Sequence, residues 1–357
     1  MPLSSVVETA RLTLRAPVAA DRDEWIALHR DPRTYWHAPH AMAATDEAAE
    51  EFFEESRNHW DDKGFGFWVA RDRQSGEAVG VCGLKEIDGA RGAFLNLYYR
   101  LGFDHQGRGL GKEMSRASAA HAVEFLPDLP VWALIKEVNV PSVRTALASG
   151  LERGVGTRVL HDDLPDEPPS TIFGAPRAEA LTTFDDETRE QILDLWMRTN
   201  DAGGAVGFLP GAPRAAVDAR LASAEREMAA GMRVAVVQRS AADNRVLGLA
   251  FLSEGPNPIL SHGRWVYTVM TDPDLRGRNL GRLLMAGTHR VARDLGVEIL
   301  SLGVRSGTGT SHFYESCGYV ESGRVLGAIR VAPGDDRDDI TMTRRLDERV
   351  LEPDPRN

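Results

Sequence analysis

A chain of 357 residues, 42% hydrophobic and 27% charged, has the balance of a folded protein and, at about 150 residues per domain, room for two domains. Its 53 acidic against 42 basic side chains leave a net charge of −11, which disfavours nucleic acid as a partner and suits cationic small molecules or amine-bearing peptides. With no run of about 20 apolar residues and no basic-then-apolar start, neither a membrane span nor a secretory signal is expected, and the cytoplasm is the expected location.

The first half opens on a strand-like run, Thr9 to Arg15, and continues with β-forming runs at Phe67 to Ala70, Ala78 to Leu84 and Ala93 to Leu101. A turn rich in glycine and basic residues follows, His105-Gln106-Gly107-Arg108-Gly109-Leu110-Gly111-Lys112, and then Met114, Ala117 and Ala120 recur at helical spacing. Val131 to Ile135 reads as a short strand. Next, Asn139 and Ser142 can cap a helix with Pro141 in its first turn, and Gly150 can close it.

An acidic, proline-rich stretch from His161 to Pro169, or the residues just beyond it before Pro176, marks the expected join. Ser170 to Ala175 can still be a last strand of the first half. The second half repeats the order: β-runs at Arg233 to Val237, Val246 to Leu252 and Trp265 to Met270, then the turn Leu275-Arg276-Gly277-Arg278-Asn279-Leu280-Gly281-Arg282. Leu283, Leu284, Ala286, Val291 and Leu295 then form an apolar helical face, Ile299 to Val304 a strand, and Gly318 a helix stop. The last glycines of the two turns, Gly111 and Gly281, stand 170 residues apart, close to half the chain. The reading is α+β, as two tandem units over residues 1–175 and 176–357, each a mixed, mostly antiparallel sheet flanked by helices. The charged tail from Asp347 is expected to fray. Cys82 and Cys317 are too few for a disulfide framework or a cysteine zinc site; reduced, buried thiols and no metal are expected.

A strand that runs into a glycine-rich turn and then a helix aims backbone N–H groups outward at the positive end of the helix dipole, which makes each turn a candidate phosphate cradle. Glycine lets an anion approach without a Cβ in the way and permits positive φ. A P-loop ending at Gly111-Lys112 needs Gly at 106 and Ser or Thr at 113, where Gln106 and Glu113 stand. The dinucleotide fingerprint fails too, because Lys112 or Met114 occupies its last glycine. What survives is Gln or Arg, two residues, Gly, one residue, Gly, met by Gln106, Gly109 and Gly111. This resembles the coenzyme A pyrophosphate loop of the GNAT superfamily of acyltransferases, and the order of elements in each half is similar to that fold.

The resemblance implies acetyl-CoA, or another acyl-CoA, as co-substrate, held by Gln106, Gly107, Arg108, Gly109, Gly111 and Lys112 in the first half and by Arg276, Gly277, Arg278, Asn279, Gly281 and Arg282 in the second. The first half is most similar to the ribosomal-protein N-terminal acetyltransferase branch, through Thr9 to Arg15 and Asn139 to Arg144, where Asn139 and Ser142 would hold the cofactor's pantetheine and phosphate portions. In the second half Phe313-Tyr314 with Gly318-Tyr319 resembles the family segment whose Tyr protonates the departing thiolate. Tyr314 is thus the expected acid, and its alternative is an aromatic core stripe with Phe313 and Tyr319. By the same analogy, backbone donors to the thioester oxygen come from Val269 to Thr271, or from Leu97 to Arg100 in the first half. Glu254 is the expected base, with His262, Asp272, Glu86, Asp104 and His105 as further candidates; each can equally be a solvated loop charge.

Two departures separate the halves. Asn279 stands at the first family glycine of the second loop, which Asn tolerates because it accepts left-handed backbone angles. Ala146 stands in the first half where Tyr314 stands in the second. The acceptor is expected to meet the segment between the first two helices: Tyr35 to His40 in the first half, and Asn200 to Gly211, mobile by its glycine content, in the second. The expected activity is acetyl transfer to a primary amine of a small molecule such as an antibiotic or specialised metabolite, by direct attack in a ternary complex, in a monomer or homodimer. Alternatives are catalysis by the first half on peptide or protein N-termini, and a non-catalytic acyl-CoA-binding role for one or both halves.

Overall fold

The computed structural model describes residues 6–89, 92–158, 168–255 and 257–347. Contacts divide the chain into two units, one of residues up to Arg177 together with Ser240–Asn244 and Gly277–Asn279, and the other of the remaining residues from Ala178 onward. Within the proline-rich stretch, residues 161–167 lie outside the described residues, as do 348–357 of the tail.

The first unit runs β1 (Val6–Glu8), β2 (Leu12–Arg15), α1 (Arg22–Arg30), α2 (Asp46–Lys63), β3 (Phe67–Asp72), β4 (Ala78–Ile87), β5 (Phe94–Leu101), α3 (Leu110–Phe125), β6 (Val131–Ile135), α4 (Val140–Ala148), β7 (Glu152–Arg158) and β8 (Ser170–Gly174). Its eight strands lie in the order β1-β2-β3-β4-β5-β6-β8-β7. All neighbours are antiparallel except β5 and β6. Helices cover both faces, so β3 and β4 read as continuous apolar runs and not as alternating ones. Trp68 and Cys82 pack with Leu110 and Met114 of α3 on one face, while Phe67, Val69 and Val81 pack with Trp25 of α1 and Phe53 of α2 on the other. Thr45 caps α2 through the Ala48 N–H, and Gly64 ends it at φ +73°.

The second unit repeats the plan as β9 (Arg177–Leu181), α5 (Asp186–Asp201), α6 (Arg214–Ala229), β10 (Arg233–Arg239), β11 (Val246–Glu254), β12 (Gly263–Thr271), α7 (Leu280–Asp294), β13 (Ile299–Arg305), α8 (Thr310–Glu315), β14 (Val320–Ala332) and β15 (Asp335–Arg345). Its order is β14-β15-β13-β12-β11-β10-β9, and β12 with β13 is parallel. Val236, Ala250 and Leu252 meet Leu284 and Met285 of α7, and Ala235, Leu249 and Phe251 meet Trp196 of α5 and Leu221 of α6. Both cysteines are buried and outside any disulfide. Among the described residues no helix is long and apolar enough to cross a membrane.

Two irregularities shape the site. The parallel pairings are short: Leu95↔Val131 and Asn96↔Trp132 in the first unit, and Gly263↔Ile299 to Trp265↔Ser301 in the second. Beyond them the two strands of each pair are no longer paired with each other. In the second unit the β11–β12 register also slips, from Leu249↔Met270 to Phe251↔Tyr267, so that Thr268 and Val269 bulge opposite Ala250. Thr268 takes φ +54°, a strained value for a β-branched residue. In the first unit the β4–β5 ladder runs unbroken from Gly80↔Leu101 to Ile87↔Phe94.

Candidate active site

Each loop turns through left-handed backbone twice. Gly107 and Gly109 take φ +75° and +77°, and Gly277 and Asn279 take +82° and +66°. Nothing lies within 4 Å of where a Cβ would stand on Gly107 or Gly277. The last glycines are constrained differently. A Cβ on Gly111 would come within 3.3 Å of Leu101 Cδ1, and one on Gly281 within 3.2 Å of Phe313 Cζ. These glycines let the first helical turn sit against the feeding strand in one unit and against α8 in the other.

The first intrahelical bond of α3 runs from the Glu113 N–H to the Gly109 carbonyl at 3.2 Å, which leaves the N–H groups of the preceding turn for an anion. Glu113 also ties the loop to the sheet edge. It accepts from the Thr9 hydroxyl at 2.6 Å and from Arg11 Nε at 2.7 Å, while Arg11 Nη1 donates to the Arg108 carbonyl at 2.9 Å. Gln106, Arg108 and Lys112 are exposed around this turn, as is Arg278 around the second. Arg276 donates to the Ala202 carbonyl at 2.9 Å, and Arg282 to the carbonyl and hydroxyl of Ser316 at 2.6 and 2.8 Å, so Arg282 braces the end of α8.

Asn139 caps α4, its side chain accepting from the Ser142 N–H at 3.2 Å, and the Ser142 carbonyl accepts from the Tyr99 hydroxyl at 3.0 Å. Tyr314 is 9% exposed. It packs edge-on against Phe313 and Tyr319, in the same apolar cluster that Val269 of the bulge adjoins. Burial pushes its phenol well above the usual range, which keeps the proton on it at neutral pH. Val269 and Thr271 flank the site where the strands part.

The carboxylates read as candidate bases are occupied. Glu254 stands opposite Arg264 in the ladder and is held by it at 2.8 Å. Four residues of strand, about 13 Å at ~3.3 Å per residue, separate it from Ala250 opposite the bulge. Burial raises the Asp272 carboxyl, but hydrogen bonds from Arg198 at 2.8 Å and Arg245 at 2.9 Å outweigh that and hold it below the usual carboxylate range. Glu86 pairs with Lys63 at 3.0 Å, and His105 faces Glu77 at 3.5 Å. Spacing along the chain carries no trace of these cross-strand partners.

The acceptor-side segments also differ from their expectation. The stretch from Asn200 to Gly211 is tied down: Trp196 Nε1 donates to the Val206 carbonyl at 3.0 Å, Asn200 Nδ2 to the Leu209 carbonyl at 2.6 Å, and the Gly211 N–H to Asp201 at 2.9 Å. In the first unit Tyr35 is buried, Trp36 is exposed and His37 half-buried. A group that motif reading missed sits beside them. The Tyr98 hydroxyl lies 3.3 Å from His29 Nε2, while His29 Nδ1 is 2.9 Å from the Trp25 carbonyl, which makes Nδ1 the protonated nitrogen. Burial, with help from the nearby Arg100 charge, drives His29 down to about 3.

Comparison with known proteins gives a match to each half. Residues 11–152 match the acetyltransferase (GNAT) domain model, and residues 185–319 match the acetyltransferase (GNAT) family model. Among solved structures, a protein of Bordetella pertussis described as a GNAT-family acetyltransferase is 26% identical, with 48% of this chain and 98% of that one covered and a TM-score of 0.41. A ribosomal-protein-alanine N-acetyltransferase of Brucella melitensis is 18% identical over 47% of this chain and 99% of its own, TM-score 0.39. A chimaeric spermidine N-acetyltransferase built on that of Vibrio cholerae is 18% identical over 47% and 95%, TM-score 0.38.

Proposed function

Because this chain belongs to the GNAT family of acetyltransferases, with one such domain in each half, we propose that its second unit transfers an acetyl group from acetyl-CoA to a primary amine of a small molecule. The observation that carries the choice of unit is the bulge at Thr268-Val269 beside the point where β12 and β13 part. It interrupts the ladder at backbone beside the apolar cluster that holds the buried Tyr314.

Acetyl-CoA supplies an activated thioester when bound, and the chain's own groups then have three tasks. The N–H groups at the start of α7 hold the pyrophosphate. Backbone N–H groups in the Val269 to Thr271 segment donate to the thioester oxygen as negative charge gathers there. Tyr314 gives its proton to the sulfur as the amine nitrogen bonds to the acyl carbon and the carbon–sulfur bond breaks. The proton lost by the amine goes to water, since Glu254 and Asp272 are engaged by arginines; we assign Glu254 to cross-strand pairing and not to base catalysis. The first unit is assigned acyl-CoA binding through Gln106 to Lys112, with Asn139 and Ser142 along the cofactor. Two buried cysteines outside any disulfide suit the cytoplasm.

Thiol release from acetyl-CoA by the full chain across a panel of small amines tests the reading. Turnover of a small amine that falls with Tyr314→Phe supports it. Acetylation confined to peptide or protein N-termini would move the activity to the first unit, and acetyl-CoA binding with no transfer would make the chain a binding module.

A further inference from the structure

The strand that feeds the first loop carries a guanidinium with no counter-charge. Arg100, next to the end of β5, lays its guanidinium 3.5 Å over the Tyr35 ring, donates from Nε to the Tyr98 hydroxyl at 2.7 Å and from Nη1 to the Thr34 carbonyl at 2.8 Å and the Thr34 hydroxyl at 3.4 Å. No carboxylate lies within 4 Å of it among the described residues. The titratable groups around it are Tyr35, Tyr98, His29 and His37, two phenols and two imidazoles that supply no negative charge at neutral pH. Nη2 makes no hydrogen bond of ordinary geometry, and His37 Nδ1, within reach of the Arg100 charge, is buried without a partner.

A partly buried cation with open N–H groups and no anion beside it is costly unless something else supplies the charge. The residues that make the arrangement are Thr34, Tyr35 and His37 from the segment between α1 and α2, and Tyr98 and Arg100 from alternate positions of β5, hence from one face of the sheet. We propose that this is a carboxylate-binding site, and that the first unit's ligand is an amino acid or peptide whose carboxylate docks against Nη2 of Arg100 with His37 as a further donor. One guanidinium matches the single negative charge of a carboxylate, whereas a phosphate dianion calls for a second cation. The 170-residue offset between the loops places Met270, buried in an apolar cluster, at the corresponding position of the second unit. The two units therefore take chemically different ligands.

The test needs no acyl donor, so it stands or falls apart from the second unit's chemistry. Calorimetric titration of the full chain with glycylglycine and with glycylglycine amide should show the acid binding at least tenfold more tightly. Arg100→Gln should bring that ratio to one, and inorganic phosphate should bind more weakly than the acid. Equal affinity for acid and amide, no binding of the acid, a ratio that survives Arg100→Gln, or phosphate binding more tightly would each overturn the proposal. Should Arg100→Gln fail to fold, Arg100→Lys decides, because it keeps the charge and loses the fork. At an unchanged melting temperature its ratio should fall at least threefold, and an unchanged ratio would reduce Arg100 to an anchor of the Thr34–Tyr35 segment.

Discussion

The two loops take nearly the same backbone path, with Gly109 at φ +77° matched by Asn279 at +66°, yet their surroundings have diverged. In the second unit the feeding strand bulges at Thr268-Val269 and Tyr314 packs close by; in the first the ladder is unbroken and the buried Ala146 stands in the Tyr314 position. The face that bears Arg100 in one unit bears Met270 in the other. A phosphate cradle made of backbone N–H groups survives substitution of one glycine by Asn, since every residue supplies the same donors and Asn tolerates the angle. Transfer chemistry and acceptor choice rest on particular side chains and on one register slip, and there the halves differ.

The sharpest way to break this comparison is to fill the last glycine of each loop. Gly281→Val places branched carbons against Phe313, displaces the first turn of α7 whose N–H groups are assigned to the pyrophosphate, and should weaken acetyl-CoA binding at that loop at least 100-fold by calorimetry, leaving the stoichiometry set by the first loop. Undiminished binding there would detach the loop from the cofactor. Tyr314→Phe keeps the ring and removes the proton, so kcat should fall about 100-fold, the lower end of what a general acid contributes, with KM for acetyl-CoA nearly unchanged. A matching loss in KM would make Tyr314 a packing residue.

Acid separates the units by another route. Burial holds His29 down to about 3 and His121 down to about 4, so both are neutral in the folded first unit. Once unfolded each binds a proton near pH 6.5, and the unfolded chain therefore carries more protons below that pH. First-unit stability should drop as pH falls through 6.5, by about 2 kcal/mol per histidine between pH 7 and pH 5. Hydrogen exchange resolved by peptide would see α1 and α3 lose protection early; unchanged protection at pH 5 would refute it. The smallest effect is expected from Asn139→Ala, which removes the α4 cap for about 1 kcal/mol in denaturant unfolding.

The strand runs, the two glycine turns and the helix stops were legible because each rests on local chemistry: β-forming stretches, left-handed glycines at Gly150 and Gly318, a cap at Asn139. The bulge was not, since nothing in Tyr267-Thr268-Val269 announces positive φ at a threonine; only the register with β11 imposes it. The Glu254–Arg264 pair, the arginines around Asp272 and the isolation of Arg100 depend equally on which strands and helices become neighbours. Composition misled at Asn200 to Gly211, whose glycines suggest mobility while Trp196 and Asn200 fasten the segment from the preceding helix.

The central claim, that acetyl transfer belongs to the second unit, is met most directly by the turnover of one small amine by the full chain carrying either Gly281→Val or Gly111→Val, with folding checked by circular dichroism. The account predicts that Gly281→Val removes most of the turnover and that the loss from Gly111→Val is far smaller. A larger loss from Gly111→Val would place the chemistry in the first unit and contradict it.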